Sequence, residues 1–467
     1  MLQFLSMTLI KSISGIRGTI GGVPGNNLTP LDTIRFVSAY GSWLVGQKTN
    51  QRLKVVVGRD ARVSGEMMEQ LVVATLQSLG IDVISTGLST TPTVELMVPN
   101  YHADGGIILT ASHNPAEWNA LKLLNAKGEF ISGADGEALL ALADSESFEY
   151  VSYDKLGRVE KHSDTIEKHI KMVLDLPLVN IEAIKKANFS VAVDAVNSTG
   201  GIAIPALLKA LGVSKIHELY CEPNGLFPHN PEPLAENLKD ISNLVIAKKA
   251  DVGIVVDPDV DRLAIINEDG SMFGEEYTLV ACADYVLGKT PGTTVSNLSS
   301  SRALADVTEK YGQTYTASAV GEVNVVTQMK AVNAIIGGEG NGGIIYPESH
   351  YGRDSLVGVA LFLSHLAEKE LKCSELKASY SAYYMSKNKI QLEVGMDVDG
   401  ILESIHQKYA KEKVNNIDGV KIDFESEWVH LRKSNTEPII RIYTESKSQS
   451  AADSLAERFM TEIKAMC

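Results

Sequence analysis

Residues 256-VDPDVDRL-263 place Asp257, Asp259 and Asp261 at alternate positions, which in an extended loop puts three carboxylates on one side. Three like charges so close together require a cation, and an oxygen-only set of this kind suits Mg2+. Pro258 stiffens the approach, and Arg262 adds a cationic group for an anion on the metal. A calcium EF-hand is excluded, because Arg262 stands at the sixth position, where the sharp turn requires glycine. A solvated acidic turn is the plainer alternative, although an apolar strand leads directly into the cluster.

In 110-TASHNP-115, an apolar run ends in Ser112. A turn, a Ser-His nucleophile pair and a serine that carries a group all compete here. Neighbours on an extended chain point to opposite sides and no GxSxG surrounds Ser112, so acyl transfer falls away. Asn-Pro and Ser are turn formers, so a plain turn stays open beside a hydroxyl at a strand end, next to His113 and upstream of Lys122, facing a cleft. In 337-GGEGNGGIIYP-347, glycines let the backbone approach a ligand, while Glu339 and Asn341 offer the carboxylate and amide that grip adjacent sugar hydroxyls. The GxGxxG spacing there opens no helix, which weakens a nucleotide site and leaves a flexible glycine turn as the alternative. In 432-RKSNTEPIIR-441, Arg432, Ser434, Asn435, Thr436 and Arg441 gather the donors that bind a phosphate dianion; a polar surface turn is the competing reading.

The elements that must carry these loops recur. Residues 53–65, 66–80 and 81–86 read as strand and loop, a glycine-stopped helix, and strand; the order returns at 190–220 and at 293–322. Each copy is followed by an almost wholly apolar strand running into one of the loops above, at 107–115, 252–262 and 334–343. Continuous apolar strands joined by helices imply parallel, doubly covered sheets, whose ligands sit beyond the strands' carboxyl ends. After about residue 380 the texture changes to short alternating strands and a final helix over 449–466. The expected fold class is α/β: three related mixed or parallel-sheet domains plus a smaller C-terminal α+β domain around a central cleft. The expected boundaries are 1–160, with the serine loop; 161–268, with the metal loop; 269–378, with the sugar loop; and 379–467, with the phosphate loop.

A chain of 467 residues exceeds what one hydrophobic core organises, which agrees with several domains. Its formal net charge of −15 argues against nucleic acid or an anionic membrane as partner. Cys221, Cys282, Cys373 and Cys467 lie far apart without zinc or disulfide spacing, as expected of reduced thiols in the cytoplasm. The opening MLQFLSMTLIKS lacks a basic region and a cleavage pattern, and no segment approaches the ~20 apolar residues of a membrane span.

Together with 13-ISGIRG-18, the order and spacing of TASHNP, DPDVDR, GEGNGG and RKSNTEP resemble the α-D-phosphohexomutase superfamily over nearly the whole chain. Phosphoglucomutase, phosphomannomutase and phosphoglucosamine mutase belong to it, and the feel is closest to the last. The resemblance implies an enzyme that interconverts hexose 6- and 1-phosphates through a phosphorylated Ser112. It further implies one Mg2+ per chain on Asp257, Asp259, Asp261 and Ser112, and a hexose 1,6-bisphosphate as activator and intermediate. It makes Arg17 and Lys122 neighbours of the transferred phosphoryl, with Lys122 a general base if neighbouring cations lower its pKa. Arg262, Glu339, Asn341, Arg432, Ser434, Asn435, Thr436 and Arg441 become substrate contacts, and the partner is a phosphosugar bound by a monomer or homodimer. Two departures stand out. Asn341-Gly342-Gly343 replaces a usual Ser-Gly-His, so His350 or His113 is expected to substitute as acid/base, and Lys433 stands where proline is usual. Glucosamine phosphate is the expected substrate, with glucose or mannose phosphate, or a non-catalytic sugar-phosphate-binding protein, as alternatives.

Overall fold

Three stretches of the chain repeat one strand order, and that order decides where the chemical loops fall. In the first, strand Lys54–Arg59 leads through helix Gly65–Ser78 to parallel strand Asp82–Leu88, and Gly105–Leu109 then pairs along the other side of Lys54–Arg59. The second copy uses Ser190–Asp194, helix Gly200–Ala210, Lys215–Leu219 and Val252–Val256. Thr294–Asn297, helix Ala303–Lys310, Tyr315–Ser318 and Ile336–Glu339 form the third. These elements lie where periodicity places them. The structure, a computed structural model, describes residues 7–12, 15–47, 52–392, 396–433 and 439–466.

Parallel pairing stops at the next strand. In each copy the chain doubles back as an antiparallel hairpin, through Trp118–Leu124, Leu263–Asn267 and Gly343–Ile345. The serine, metal and sugar loops are therefore equivalent: each connects the third parallel strand of its copy to this returning strand. Sequence pattern could not supply the direction, because Leu263–Asn267 is buried throughout, as is Val252–Val256, and apolar runs of that kind carry no polarity.

The first sheet gains strands at both edges and runs in the order Ile10–Ser12, Gly15–Thr19, Trp118–Leu124, Gly105–Leu109, Lys54–Arg59, Asp82–Leu88, Val159–Lys161. Arg17 lies opposite Ala120 in this sheet, hence on the face it shares with Lys122. Ile107 and Ile108 pack into separate clusters, one containing Phe36, Trp43 and Leu76, the other Val94 and Met97, as alternation across a doubly covered sheet requires.

The second and third copies each have a small cluster of their own but share the largest one. One cluster holds Val256, Val260 and Leu263 together with Ile336, Ile344, Leu356 and Val359. Helix Ser355–Lys369 passes through it with residues 355 to 367 all buried. Each such aliphatic side chain contributes about 1.5–3 kcal/mol on burial, so the metal loop and the sugar loop ride on one rigid body. The C-terminal unit is a five-stranded antiparallel sheet in the order Tyr384–Gln391, Ile439–Ser446, Trp428–Lys433, Val420–Asp423, Lys413–Asn415. Helices Val398–Lys408 and Gln449–Lys464 pack on its core; the first of them and strand Lys413–Asn415 are absent from the sequence reading. Among the described residues no helix is long and apolar enough to cross a membrane, and Cys221, Cys282 and Cys373 are free thiols.

Candidate active site

The metal loop is a tight turn, not the extended loop that the alternating aspartates suggested. Val260 N donates to Asp257 O at 3.1 Å, and Val260 takes φ +66°, a strained value for a β-branched residue. Its fully buried side chain, locked in the shared core, keeps it there. Ser198 and Thr199 hydroxyls donate to Pro258 O at 2.6 and 2.9 Å. Thr91, at the start of helix Thr91–Asn100, donates its hydroxyl to Asp259 Oδ2 at 2.5 Å and its N–H to Asp259 O at 2.9 Å. The turn brings one oxygen from each of Asp257, Asp259 and Asp261 within 4.8 Å of the others, with all three residues fully buried.

Burial, reinforced by Asp261 and Asp259, pushes the Asp257 carboxyl well above its usual range. Burial works the same way on Asp259, but Lys122 outweighs it and holds that carboxyl below its usual value. Asp259 Oδ1 and Asp261 Oδ1 are buried with no hydrogen-bond partner among the described residues. Orphaned carboxylate oxygens in a dry cluster fit a hard divalent cation such as Mg2+.

Ser112 faces this cluster. Its Oγ donates to Asp257 Oδ2 at 2.7 Å and lies 3.4 Å from His113 Nδ1. Ser112 also adopts a left-handed backbone, φ +48°. Arg62, which the sequence reading passed over, holds that shape: it donates to the carbonyls of Ser112, Asn114, Pro115 and Trp118 at 2.5, 2.7, 2.5 and 3.0 Å. Its Nε pairs with Asp60 Oδ2 at 3.0 Å, both side chains fully buried, and Thr110 Oγ1 donates to the same oxygen at 2.7 Å. The signal was available in 59-RDARVSG-65, since the loop after the first parallel strand opens at the same sheet end as the serine loop.

Lys122 Nζ lies 2.7 Å from Asp259 Oδ2 and 3.3 Å from Asp261 Oδ2. Burial alone would lower its pKa, but the two carboxylates prevail and raise it. In this structure the carboxylates of Asp259 and Asp261, rather than neighbouring cations, dominate the proton affinity of Lys122.

Arg17 and Arg262 each keep a buried Nε without a hydrogen-bond partner among the described residues. Burial, then Arg441, then Arg262 lower the Arg17 pKa, so three guanidiniums crowd one space. Arg17 Nη1 reaches Asn114 Oδ1 at 3.5 Å, and Arg262 Nη1 is 3.7 Å from Glu232 Oε1. Burial first, then Arg262, drives His113 well below the usual histidine value, which leaves its ring neutral. Arg432 and Arg441 stand directly opposite each other across two antiparallel strands, a repulsive pairing that an anion would relieve. Ser434, Asn435 and Thr436 lie outside the described residues.

The sugar loop is wired more tightly than its sequence suggests. Glu339 accepts from Asn297 Nδ2 at 2.8 Å and Gly321 N at 3.2 Å through Oε1, and from Arg353 Nη1 at 2.9 Å through Oε2. Asn341 Oδ1 accepts from Gly343 N at 3.3 Å. Arg353 is a second residue the sequence reading missed. It also reaches Asp261 Oδ2 at 2.7 Å and Glu322 Oε2 at 3.0 Å, so one guanidinium joins the metal cluster to the sugar carboxylate. A Cβ on Gly343 would meet Arg353 Cδ at 2.3 Å. Arg353 thus fills the space that a histidine at 343 would need. His350 does not turn toward the serine: its ring lies 3.4 Å from Glu95 Oε2 and 3.2 Å from Asp354 Oδ2, and Asp354 is shared with buried His169 at 2.9 Å.

Fold and site together are those of an α/β enzyme that handles phosphoryl groups. The chain belongs to the phosphoglucomutase/phosphomannomutase family, whose alpha/beta/alpha domains I, II and III and C-terminal domain match residues 9–150, 167–270, 274–383 and 387–462. Its activity class is that of a phosphohexomutase. A phosphoglucomutase/phosphomannomutase of Thermococcus kodakarensis is 36% identical over 441 residues, 93% of this chain and 95% of the relative. A phosphoglucosamine/phosphogalactosamine mutase of Sulfurisphaera tokodaii is 32% identical, covering 94% and 96%. The crystal structure of a phosphoglucomutase/phosphomannomutase family protein from Burkholderia thailandensis superposes with a TM-score of 0.84 at 26% identity, covering 98% of both chains.

Proposed function

We propose that this enzyme interconverts glucosamine 6-phosphate and glucosamine 1-phosphate through a phosphoserine at Ser112. The observation that carries the reading is the Ser112 hydroxyl, 2.7 Å from Asp257 inside the buried acidic cluster. In the first half-reaction the Ser112 Oγ–P bond breaks as a bond forms from phosphorus to the free sugar hydroxyl, whose proton leaves to a base. The bisphosphorylated sugar then turns over in the cleft. In the second half-reaction its other phosphoryl returns to Ser112 Oγ and a proton goes back to the sugar oxygen. Asp257, Asp259 and Asp261 would hold one Mg2+, which would supply neutralisation of phosphoryl charge.

The chain's own residues then divide the work. Arg17, Lys122 and Arg262 add fixed positive charge around the transferred phosphoryl. His113, 3.4 Å from Ser112 Oγ, is better placed than His350 to exchange the proton. Glu339 and Asn341 read sugar hydroxyls. Arg432 and Arg441, with Ser434, Asn435 and Thr436, hold the phosphate that is not in transfer. The four units act as 1–160, 161–268, 269–378 and 379–467, each lending one loop to the cleft.

The name of the Sulfurisphaera relative supports glucosamine phosphate. A second reading, a dual phosphogluco- and phosphomannomutase, is favoured by the name of the 36% identical Thermococcus protein. Parallel assays on glucosamine, glucose and mannose 6-phosphates, with the matching bisphosphate added, decide between them. Intact-mass measurement tests the carrier: a species heavier by about 80 Da is expected in the wild type and absent in Ser112→Ala. A Ser112→Ala protein that still took up phosphoryl and turned over would overturn the reading.

A further inference from the structure

The C-terminal unit meets the rest of the molecule through a set of polar contacts that converges on the sugar loop. Asp418, just before strand Val420–Asp423, has its Oδ2 2.8 Å from Arg432 Nε in an ion pair. The same oxygen accepts from Val320 N at 2.8 Å, across the boundary between the third and fourth units. The next residue, Gly321, donates its N–H to Glu339 Oε1 at 3.2 Å. Two consecutive amides therefore grip two carboxylates, one beside the phosphate arginine and one on the sugar loop.

A second connection runs beside the first. Asp418 O lies 2.7 Å from His430 Nε2, and His430 Nδ1 lies 2.9 Å from Ser299 Oγ. A carbonyl can only accept, so Nε2 carries the proton and Nδ1 accepts from the Ser299 hydroxyl. Ser299 N donates to Asn297 Oδ1 at 2.9 Å, and Asn297 Nδ2 donates to Glu339 Oε1 at 2.8 Å. Both connections start at Asp418 and end on the same oxygen of Glu339. Beyond it, Glu339 Oε2 leads through Arg353 to Asp261 in the metal cluster.

His430 is 1% exposed, and burial holds its ring down at about 4, so it stays neutral in this tautomer. Buried polar groups satisfied on every side specify one arrangement and resist intermediate ones. Asp418 is half-buried and reaches both Arg432 and the third unit, which is the placement of a latch.

We propose that Asp418 and His430 are positioning residues that couple the seat of the non-transferred phosphate to the sugar-reading carboxylate. Neither touches the substrate: Asp418 aims Arg432 and fastens it to the Val320-Gly321 amides, and His430 fastens the same segment to Ser299 and Asn297. Occupation of the phosphate seat by one end of the sugar then sets Glu339 for the other end. In an enzyme whose intermediate must present either end, such a linkage makes the same closed arrangement available to both orientations.

The proposal rests on Arg432 and Glu339 binding substrate, and a double-mutant cycle separates the two claims. kcat and KM are measured for the wild type, Asp418→Asn, Glu339→Gln and the pair, on whichever hexose phosphate turns over best, alongside Arg432→Ala. Asp418→Asn retains an oxygen for Val320 N but loses the charge opposite Arg432. Its expected signature is a raised KM with little change in kcat or in melting temperature, and a departure from additivity with Glu339→Gln of about threefold or more in kcat/KM. His430→Gln, whose amide nitrogen takes the place of Nε2 and can still donate to the Asp418 carbonyl, is expected to lie nearer the wild type than His430→Phe. Arg432→Ala and Glu339→Gln with unchanged KM would overturn the binding reading itself. Raised KM in those two with strictly additive effects of Asp418→Asn would leave that reading standing and overturn the coupling.

Discussion

Replacing Arg62 by alanine tests whether the serine loop is held in shape from behind. The side chain donates to four carbonyls between Ser112 and Trp118 and pairs with Asp60, and neither member of the pair is exposed to water. Solvent cannot replace what the substitution removes, so Asp60 is left as a stranded buried carboxylate; breaking a buried pair in this way costs about 3–5 kcal/mol. For a unit of this size, with a shift of about 2–4 °C per kcal/mol, the first unfolding transition falls by roughly 6–20 °C. Removing the stranded charge as well should restore part of the loss, so Asp60→Asn/Arg62→Met is expected to melt above Arg62→Ala. Arg62→Lys keeps the charge but not the fork, and should fall between. Calorimetry measures stability, and intact mass after incubation with a hexose 1,6-bisphosphate measures phosphoryl uptake at Ser112. An Arg62→Ala protein that melts within about 1 kcal/mol of the wild type and is phosphorylated at the same rate would refute the argument that Arg62 shapes the loop.

Mg2+ at a hundred times its Kd should stabilise the protein by about 2.7 kcal/mol, and Asp257→Asn should abolish that shift. Without metal, the same Asp257→Asn should melt higher than the wild type, because one of three crowded carboxylates is gone; a lower melting point would show that the cluster is not repulsive. Burial raises the Glu276 carboxyl to about 8 from an ordinary 4.5, against the opposing pull of Lys387. The folded form therefore keeps a proton that the unfolded form releases, and stability falls as pH rises between about 4.5 and 8, by at most about 1.4 kcal/mol per pH unit. Urea unfolding across that window should show a steeper slope in the wild type than in Glu276→Gln. His113→Ala should lower kcat by about 10²–10⁴-fold, while His350→Ala should cost less than about tenfold; the opposite ranking in turnover assays, with an altered pH profile for His350→Ala, would return the acid/base role to His350.

The strand and helix positions of the three repeats were legible because apolar runs and glycine-stopped helices repeat at matching intervals. The aspartate cluster and the serine beside it were legible because each follows an apolar strand directly and so must open at a sheet end. What sequence could not carry was direction and distance. The returning strand Leu263–Asn267 is buried throughout like the outgoing Val252–Val256, so antiparallel pairing left no mark in the pattern there. The merger of the second and third cores is likewise invisible, since a buried helix such as Ser355–Lys369 looks the same whichever sheet it covers. Arg62 and Arg353 escaped notice because their partners lie tens of residues away and only folding supplies them. Lys122 shows the same limit in its charge state. The family resemblance sets Lys122 near cations, but the pKa of a buried group depends on which neighbours come within a few ångströms, and tertiary structure put two aspartates there. The sequence by itself determined which side chains could do the chemistry and on which loops they ride. Only the tertiary structure decided which of them meet, because long-range packing sets the distances on which ion pairing and proton affinity depend.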